Sequence, residues 1–423
     1  MSGSPRVLVV GTTSDYIDWI RSAAPGRALF LTDPGIRRRA QEAPPDPSEE
    51  VLCDLTATTR VHEALEAHLR DRRMHLSGVA CFDCESMALA AGIAAARGLP
   101  YPSVEAVGRC RDKYLSKKIW RQEGVRCPRA ARVSSPDEAE AFSREAKGPI
   151  VLKPATGSGS ELVFVCAGPD ESRAAFTGIE TGLVSRRGNR LYPAGASDAP
   201  GIIAEEYVEG EEYSCDVIIE KSGIGIIRLT RKIRSPRDPF GTTRGYVLID
   251  ALPPAVRMAD LGRQLRDAAW ALGVTSGICM ADLILRGGDL FFLEMTPRPG
   301  GDCLPSLLRE AAGIDILMMT LDVAEGRPVG IMQGRPVKPR VGLRLLAGRG
   351  GVVREIDWAR LAQDPRVRQV NIIRKPADTI RMPPEDYDSW LLGHVIFAPS
   401  EDGPELPAQC DDMAGRLTVR MAS

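Results

Sequence analysis

The chain has 423 residues, 55 Lys and Arg against 56 Asp and Glu, a net charge of −1 with histidine neutral, and 43% hydrophobic residues. Such a length and apolar share call for two or three domains with substantial cores. The balanced charge excludes a global basic field for nucleic acid, and no apolar run approaches the roughly 20 residues needed to span a bilayer.

Residues 6–10 read as a buried strand leading into Gly11-Thr12-Thr13-Ser14 and a helix through Trp19, Ile20 and Arg21. A second short strand at 28–31 ends at Asp33-Pro34-Gly35. Val61, Leu65 and Leu69 give 60–73 helical spacing, 78–82 is a further strand, and 86–97 is an Ala-rich helix closed by Gly98. Strands alternating with helices predict a small parallel α/β unit over residues 1–110. The loop after the first strand is not GxGxxG, so its expected role is to wall off a substrate at the strand ends. The start of the chain runs straight into a strand with no signal-peptide core, and a cytoplasmic protein is expected. Ten cysteines are scattered, the closest pair being Cys81-Phe82-Asp83-Cys84. With no second pair or nearby histidine for zinc, they are expected to be unpaired buried thiols in a reducing compartment.

Residues 111–126 read as one helix, basic along one side and closed by Gly124. Strands then dominate, at 150–152, 162–166, 202–204, 214–220 and 224–230. The polar stretch 168–200 turns rich in Arg, Gly, Ala and Pro in its second half, where a mobile loop is expected. The basic stretch 228–237 is read as site or rim charges. A helix over about 257–272 precedes an apolar hairpin, and another helix begins near 303. Past Arg327-Pro328 come strands near 341–346 and 368–373 and a short helix near 357–363.

Three segments carry chemistry. From Asp282 to Glu294 two apolar strands flank Gly287-Gly288, a hairpin turn, with the carboxylates of Asp282 and Glu294 on opposite strands. Asp282 and Glu294 then become cross-strand neighbours ~5 Å apart. Two carboxylates at that distance repel unless a cation lies between them, and hard oxygen ligands suit Mg²⁺. Arg298 follows, between two prolines and just ahead of Gly300-Gly301. Upstream, Lys153-Pro154-Ala155-Thr156-Gly157-Ser158-Gly159-Ser160 closes a strand with a cation and a Gly/Ser turn, able to offer N–H groups to a polyphosphate. It is not a Walker A sequence, because the lysine precedes the glycines. Finally, Glu205-Glu206-Tyr207-Val208-Glu209-Gly210-Glu211-Glu212 joins two strands, where backbone could pair with an adenine edge and a carboxylate with ribose hydroxyls.

Taken in order with Arg111-Asp112-Lys113, these segments resemble the ATP-grasp superfamily of ADP-forming carboxylate–amine or carboxylate–thiol ligases, over nearly all of the chain. The resemblance implies an α/β (α+β) ATP-grasp fold in three parts. These are an N-terminal parallel α/β domain at 1–110, a central ATP-grasp domain at 111–330 with a mobile lid at about 128–205, and a small C-terminal α+β domain at 331–423. It implies that Lys113, Lys153 and Ser160 meet ATP phosphates, that Glu205 with Glu206, Tyr207 and Val208 receives adenine, and that Glu212 takes the ribose. Asp282 and Glu294 would bind Mg²⁺ (or Mn²⁺), and Arg298 would steady the acyl phosphate as the catalytic residue. Lys232 or Arg234 would assist at the γ-phosphate. Two departures stand out: Thr296 occupies the place of a common asparagine metal ligand, and Leu162 that of a common glycine after the phosphate loop.

The implied activity is ATP-dependent, ADP-forming joining of a small-molecule carboxylate to an amine, as in an amino-acid or small-peptide ligase. Two rivals are a bicarbonate-activating carboxylase of the same superfamily and a nucleotide-binding protein without catalysis. Arg237, Arg244 and Arg309 are candidate clamps for a substrate carboxylate. No nucleic-acid or membrane partner is expected, and oligomeric state stays open, a homodimer included.

Overall fold

Val7, Leu8, Val9 and Val10 are all buried, and a run with no polar face fits a strand covered on both sides. In the computed structural model, which describes residues 4–192, 201–220, 223–329 and 337–422, this strand lies inside a parallel sheet. The order is Glu50–Leu52, Ala28–Thr32, Ser4–Val10, Met74–Ala80. Helices Ser14–Ala23, Thr58–Asp71 and Met87–Arg97 cover it. The parallel α/β arrangement expected at the start of the chain is thus present.

The helix expected over 111–126 is present as Lys113–Gln122, with a separate helix just ahead of it. Val104–Arg111 stops at Asp112, whose backbone is extended (φ −85°, ψ 104°). The Asp112 carboxylate accepts from the N–H groups of Tyr114 and Leu115, both at 3.0 Å. That N-cap starts Lys113–Gln122 afresh and makes Lys113 its first residue.

A four-stranded antiparallel sheet follows, ordered Ala130–Val133, Ile202–Glu206, Ile150–Pro154, Phe164–Cys166, with helices Pro136–Glu145 and Pro169–Ser185 packed on it. The second helix fills half of the stretch read as polar, because Phe176, Ile179 and Leu183 point into the core while polar residues face out. The part of the expected mobile loop at 193–200 lies outside the described residues.

The main sheet has eight antiparallel strands: Asp289–Thr296, Gly277–Arg286, Glu211–Glu220, Gly223–Ile233, Gly245–Leu248, Val341–Leu346, Leu391–Phe397 and Val367–Ile372. The 330/331 boundary expected from sequence falls outside the described residues. Beyond it, Val341–Leu346 pairs directly with Gly245–Leu248, so the C-terminal segment extends the central sheet instead of standing apart from it.

Side chains alternate across this sheet. Tyr213, Cys215, Val217 and Ile219 share a core with Leu261, Leu265, Ala268 and Ala269 of the helix Met258–Ala271. Each such buried aliphatic contributes roughly 1.5–3 kcal/mol. The intervening Glu212, Ser214 and Asp216 therefore fall on the opposite face. There Arg228 Nε donates to Asp216 Oδ2 at 2.6 Å, both groups fully buried, and Gly300 N–H donates to Asp216 Oδ1 at 2.8 Å. A Cβ at Gly300 would stand 2.7 Å from Leu304 Cδ1 and 3.0 Å from Arg228 Nη2. Only glycine lets the segment after Arg298 lie this close to the sheet. Arg228, read from sequence as a site or rim charge, is thus a core anchor. Among the described residues no helix is long and apolar enough to cross a membrane.

Candidate active site

The hairpin turn is closed by Gly287 (φ 57°) and Gly288 (φ 92°), positive at both positions as a tight two-residue turn requires. Its register sets Asp282 opposite Glu294. From Gly223–Ile233, two strands along the sheet from Asp282, Lys232 Nζ donates to Asp282 Oδ2 at 2.7 Å and to Glu212 Oε1 on the intervening strand at 2.6 Å, while Arg234 pairs with the other Glu212 oxygen. Lys113 Nζ lies 3.5 Å from Glu294 Oε2. Burial alone would push the Glu294 pKa up, but Lys113, Lys232, Lys153 and Lys117 overcome it and hold it down at about 2. Lys232 is likewise raised: burial opposes its charge, and Asp282, Tyr246 and Glu294 outweigh that.

Asp282 Oδ1 is buried with no hydrogen-bond partner. A buried carboxylate oxygen left bare is costly, and here it faces an ionised neighbour across the hairpin. That donor set fits Mg²⁺, a hard ion that takes one or two carboxylates and completes its shell with water and phosphate oxygens. Among the described residues no cluster of three or more His, Cys, Asp or Glu side chains could hold a metal. The two acids therefore suit an ion that arrives with a polyphosphate. Thr296 ends the same strand, opposite Met280.

Lys153 reaches the site from Ile150–Pro154, its Nζ 2.7 Å from Glu205 Oε2. Lys117 was not foreseen. One helical turn beyond Lys113, it is 1% exposed, donates to Leu293 O at 2.7 Å and lies 2.8 Å from Glu205 Oε1. Burial pushes its pKa down to about 8, with Lys153 adding to the depression and Glu205 resisting it. The signal was the repeat of lysine at i and i+4 on one helix face. Glu205 is itself 2% exposed, and burial raises its pKa while the two lysines lower it further, for a net decrease. Its carboxylate lies between Lys117 and Lys153 and orients Lys153.

The loop after Lys153 bends through Gly157, Gly159 and Ser160, all at positive φ. Lys113 Nζ donates to Gly157 O at 2.8 Å, and Ser160 Oγ donates to Gly241 O at 2.8 Å. Leu162 also adopts positive φ (56°), uncommon for a residue with a side chain. Its buried side chain packs on Gly182.

Lys113, Lys153, Ser160, Glu205, Glu206, Tyr207, Val208, Glu212, Asp282 and Glu294 all line one cavity of ≈330 Å³. Its apolar walls are Val151, Ile284, Leu293 and Phe240, the last with its ring 6.1 Å from that of Tyr207. A flat apolar slot beside a cationic end suits a purine joined to phosphates. Arg298 is the exception. It lines a neighbouring cavity of ≈440 Å³, donates from Nη2 to Cys84 Sγ at 2.9 Å and from Nη1 to Pro299 O at 2.6 Å. The three arginines expected as clamps are engaged elsewhere: Arg237 with Asp411, Arg244 with Asp238 and Asp411, and Arg309 over the Trp19 ring. All ten cysteines are free; Cys84 is half-buried and seven are buried.

A family model described as an ATP-grasp domain matches residues 146–306. The chain is 26% identical over 238 residues to a D-alanine–D-alanine ligase of Delftia acidovorans, covering 53% of this chain and 68% of that one. It is 29% identical over 254 residues to the D-alanine–D-alanine ligase of Cupriavidus taiwanensis, covering 57% and 72%. Among solved structures it superposes on an L-amino acid ligase from Bacillus licheniformis with a TM-score of 0.78 over 100% of both chains, at 17% identity.

Proposed function

We propose that the chain is an ATP-grasp enzyme of the ATP-dependent, ADP-forming carboxylate–amine ligase kind, and that it builds an amide between amino acids or small peptides. Lys113 and Lys153 hold the ATP phosphates, with Ser160 bracing the loop between them. Tyr207 and Val208 present backbone to the adenine beside Glu206, and Glu212 faces the ribose. Asp282 and Glu294 would hold Mg²⁺, or Mn²⁺ in its place, which would supply positive charge against the transferring phosphoryl group. Arg298 steadies the acyl phosphate. A substrate carboxylate oxygen bonds the γ-phosphorus as ADP leaves; the amine nitrogen then bonds the acyl carbon and phosphate departs. In-line transfer of this kind rests on positioning and charge stabilisation more than on covalent help from the protein.

The observation that carries this reading is the Asp282–Glu294 pair, one oxygen unpartnered, set among four lysines at the end of an apolar slot. The D-alanine–D-alanine ligase relatives support amino acids as substrates. The enzyme is proposed to work in the cytoplasm, a homodimer being one possible assembly. Incubation with ATP, Mg²⁺ and mixed amino acids is expected to release ADP and phosphate in equal amounts; AMP and pyrophosphate would overturn the mechanism. Ser160→Ala removes a neutral hydrogen bond worth about 1 kcal/mol. The KM for ATP is expected to rise roughly fivefold with kcat little changed, read from initial rates of ADP release.

A further inference from the structure

Asp302 lies four residues past Arg298, on an exposed loop and at left-handed φ (59°). Polar groups from four other elements converge on it, and none bonds it well. Arg344 Nε is 3.1 Å from Asp302 Oδ2, yet that N–H makes no hydrogen bond. Tyr246 OH is 3.5 Å from the same oxygen and Tyr16 OH is 3.4 Å from the Asp302 carbonyl, both at the long limit for hydroxyl donors. His394 sits opposite Arg344 in the antiparallel pair, 8% exposed, with Nε2 unpartnered.

The cluster adjoins the proposed reaction centre on two sides. Tyr246 is the cross-strand neighbour of Lys232, the lysine on Asp282. Tyr16 senses the charges of both Asp302 and Arg298. An interdomain salt bridge kept for stability would close with aligned bonds. This one holds a partly exposed acid and guanidinium side by side, the guanidinium steadied only from Nη1 by Thr243 O at 3.0 Å, with two long hydroxyl contacts and one unpartnered imidazole nitrogen around them.

We propose that Asp302 and Arg344 form the subsite for the amine substrate, and that this substrate is an α-amino acid with a free carboxylate. The proposal rests on the ligase reading above. Asp302 accepts from the amino group. Arg344, with the Tyr246 and Tyr16 hydroxyls, takes the carboxylate. An α-amino acid carries its two charges two carbons apart, which matches an acid and a base in near contact. The chemistry balances as in any such ligase. One ammonium proton is lost to solvent, the nitrogen bonds the acyl carbon, the acyl C–O bond breaks, and the second proton leaves with hydrogen phosphate.

The test uses the full chain with ATP, Mg²⁺ and the proteinogenic amino acids as carboxylate donors. Three kinds of amine are compared: hydroxylamine, free glycine, alanine or leucine, and the amides of those three. Hydroxylamine reports acyl phosphate as a hydroxamate and needs no amine subsite. The native enzyme is expected to prefer the free amino acids over their amides by roughly tenfold or more in kcat/KM, the worth of one charged hydrogen bond. Arg344→Met should erase that preference, Arg344→Lys restore part of it, and both keep hydroxamate formation within about twofold of native. Asp302→Asn should raise the KM for glycine while sparing hydroxamate formation. Equal use of acids and amides by the native protein, a comparison that requires no variant, overturns the subsite while leaving the ligase intact. So does a preference that survives in Arg344→Met. Absence of hydroxamate and ADP with every donor brings down the ligase reading, and the subsite with it.

Discussion

Glu294→Gln is expected to lower kcat by roughly 10³-fold while leaving the melting temperature close to native. The amide has the size and shape of the carboxylate, so packing around the hairpin changes little. What disappears is one of two anions facing Lys113, Lys232, Lys153 and Lys117. Metal stabilisation of a transferring phosphoryl group is worth several kcal/mol, and each 1.36 kcal/mol is tenfold in rate. The remaining acid, Asp282, is already shared with Lys232 and cannot hold the ion alone. ATP brings its own negative charge to the lysines, so nucleotide binding should suffer far less than turnover. Calorimetric titration with ADP gives a readout independent of catalysis: Mg²⁺ should tighten binding to the native chain and have little effect on the variant. Near-native turnover in Glu294→Gln would remove the carboxylate from the metal site.

The parts of this site that were legible in the sequence are those built by local chemistry. Gly287-Gly288 between two apolar runs specifies the hairpin, and the hairpin alone places Asp282 against Glu294. Lys153 was readable only from its place in the order of motifs, because a lysine before a Gly/Ser turn alone reads as a flexible hairpin loop. The mixed α/β fold class followed from alternating strands and helices and from motif order. Long-range pairing was what stayed hidden. Lys117 donates to Leu293, 176 positions away, and in sequence it is one more basic residue on a basic helix. Glu205 looked available to a ligand because nothing nearby in the chain neutralises it; its partners come from two other elements. Arg344 was passed over in favour of Arg237, Arg244 and Arg309 because its strand was assigned to a separate domain, whereas the strand continues the central sheet. The helix at Lys113–Gln122 was legible in outline, whereas the separate helix that ends at Arg111 was not.

Lys117→Met is expected to destabilise the central domain by about 3 kcal/mol, and the loss should grow as pH rises above about 8. Methionine fills the same space but leaves Leu293 O without its donor and Glu205 Oε1 without its partner, both in a site from which water is excluded. Lys153 still balances the Glu205 charge, which limits the cost. Burial holds the Lys117 pKa at about 8 in the folded chain, below its ordinary value of 10.5. The unfolded chain therefore binds this proton more tightly between those two values. Lys117 opposes folding most below pH 8, and its contribution turns more favourable as pH rises through that window. The neutral amine that results keeps an N–H for Leu293 O, so that bond survives while the burial penalty fades. Methionine has no such titration, and the melting-temperature gap between native and variant should be wider at pH 9 than at pH 7. Differential scanning calorimetry at both values checks this, taking the transition that ADP shifts as that of the central domain. Turnover should report the same residue: with Glu205 drawn wholly onto Lys153, less of that cation faces the phosphates and the KM for ATP rises. A gap that narrows at pH 9, or a variant as stable as the native chain, would mean that Lys117 is a tolerated buried charge and not the tie between the helix Lys113–Gln122, Glu205 and the metal hairpin.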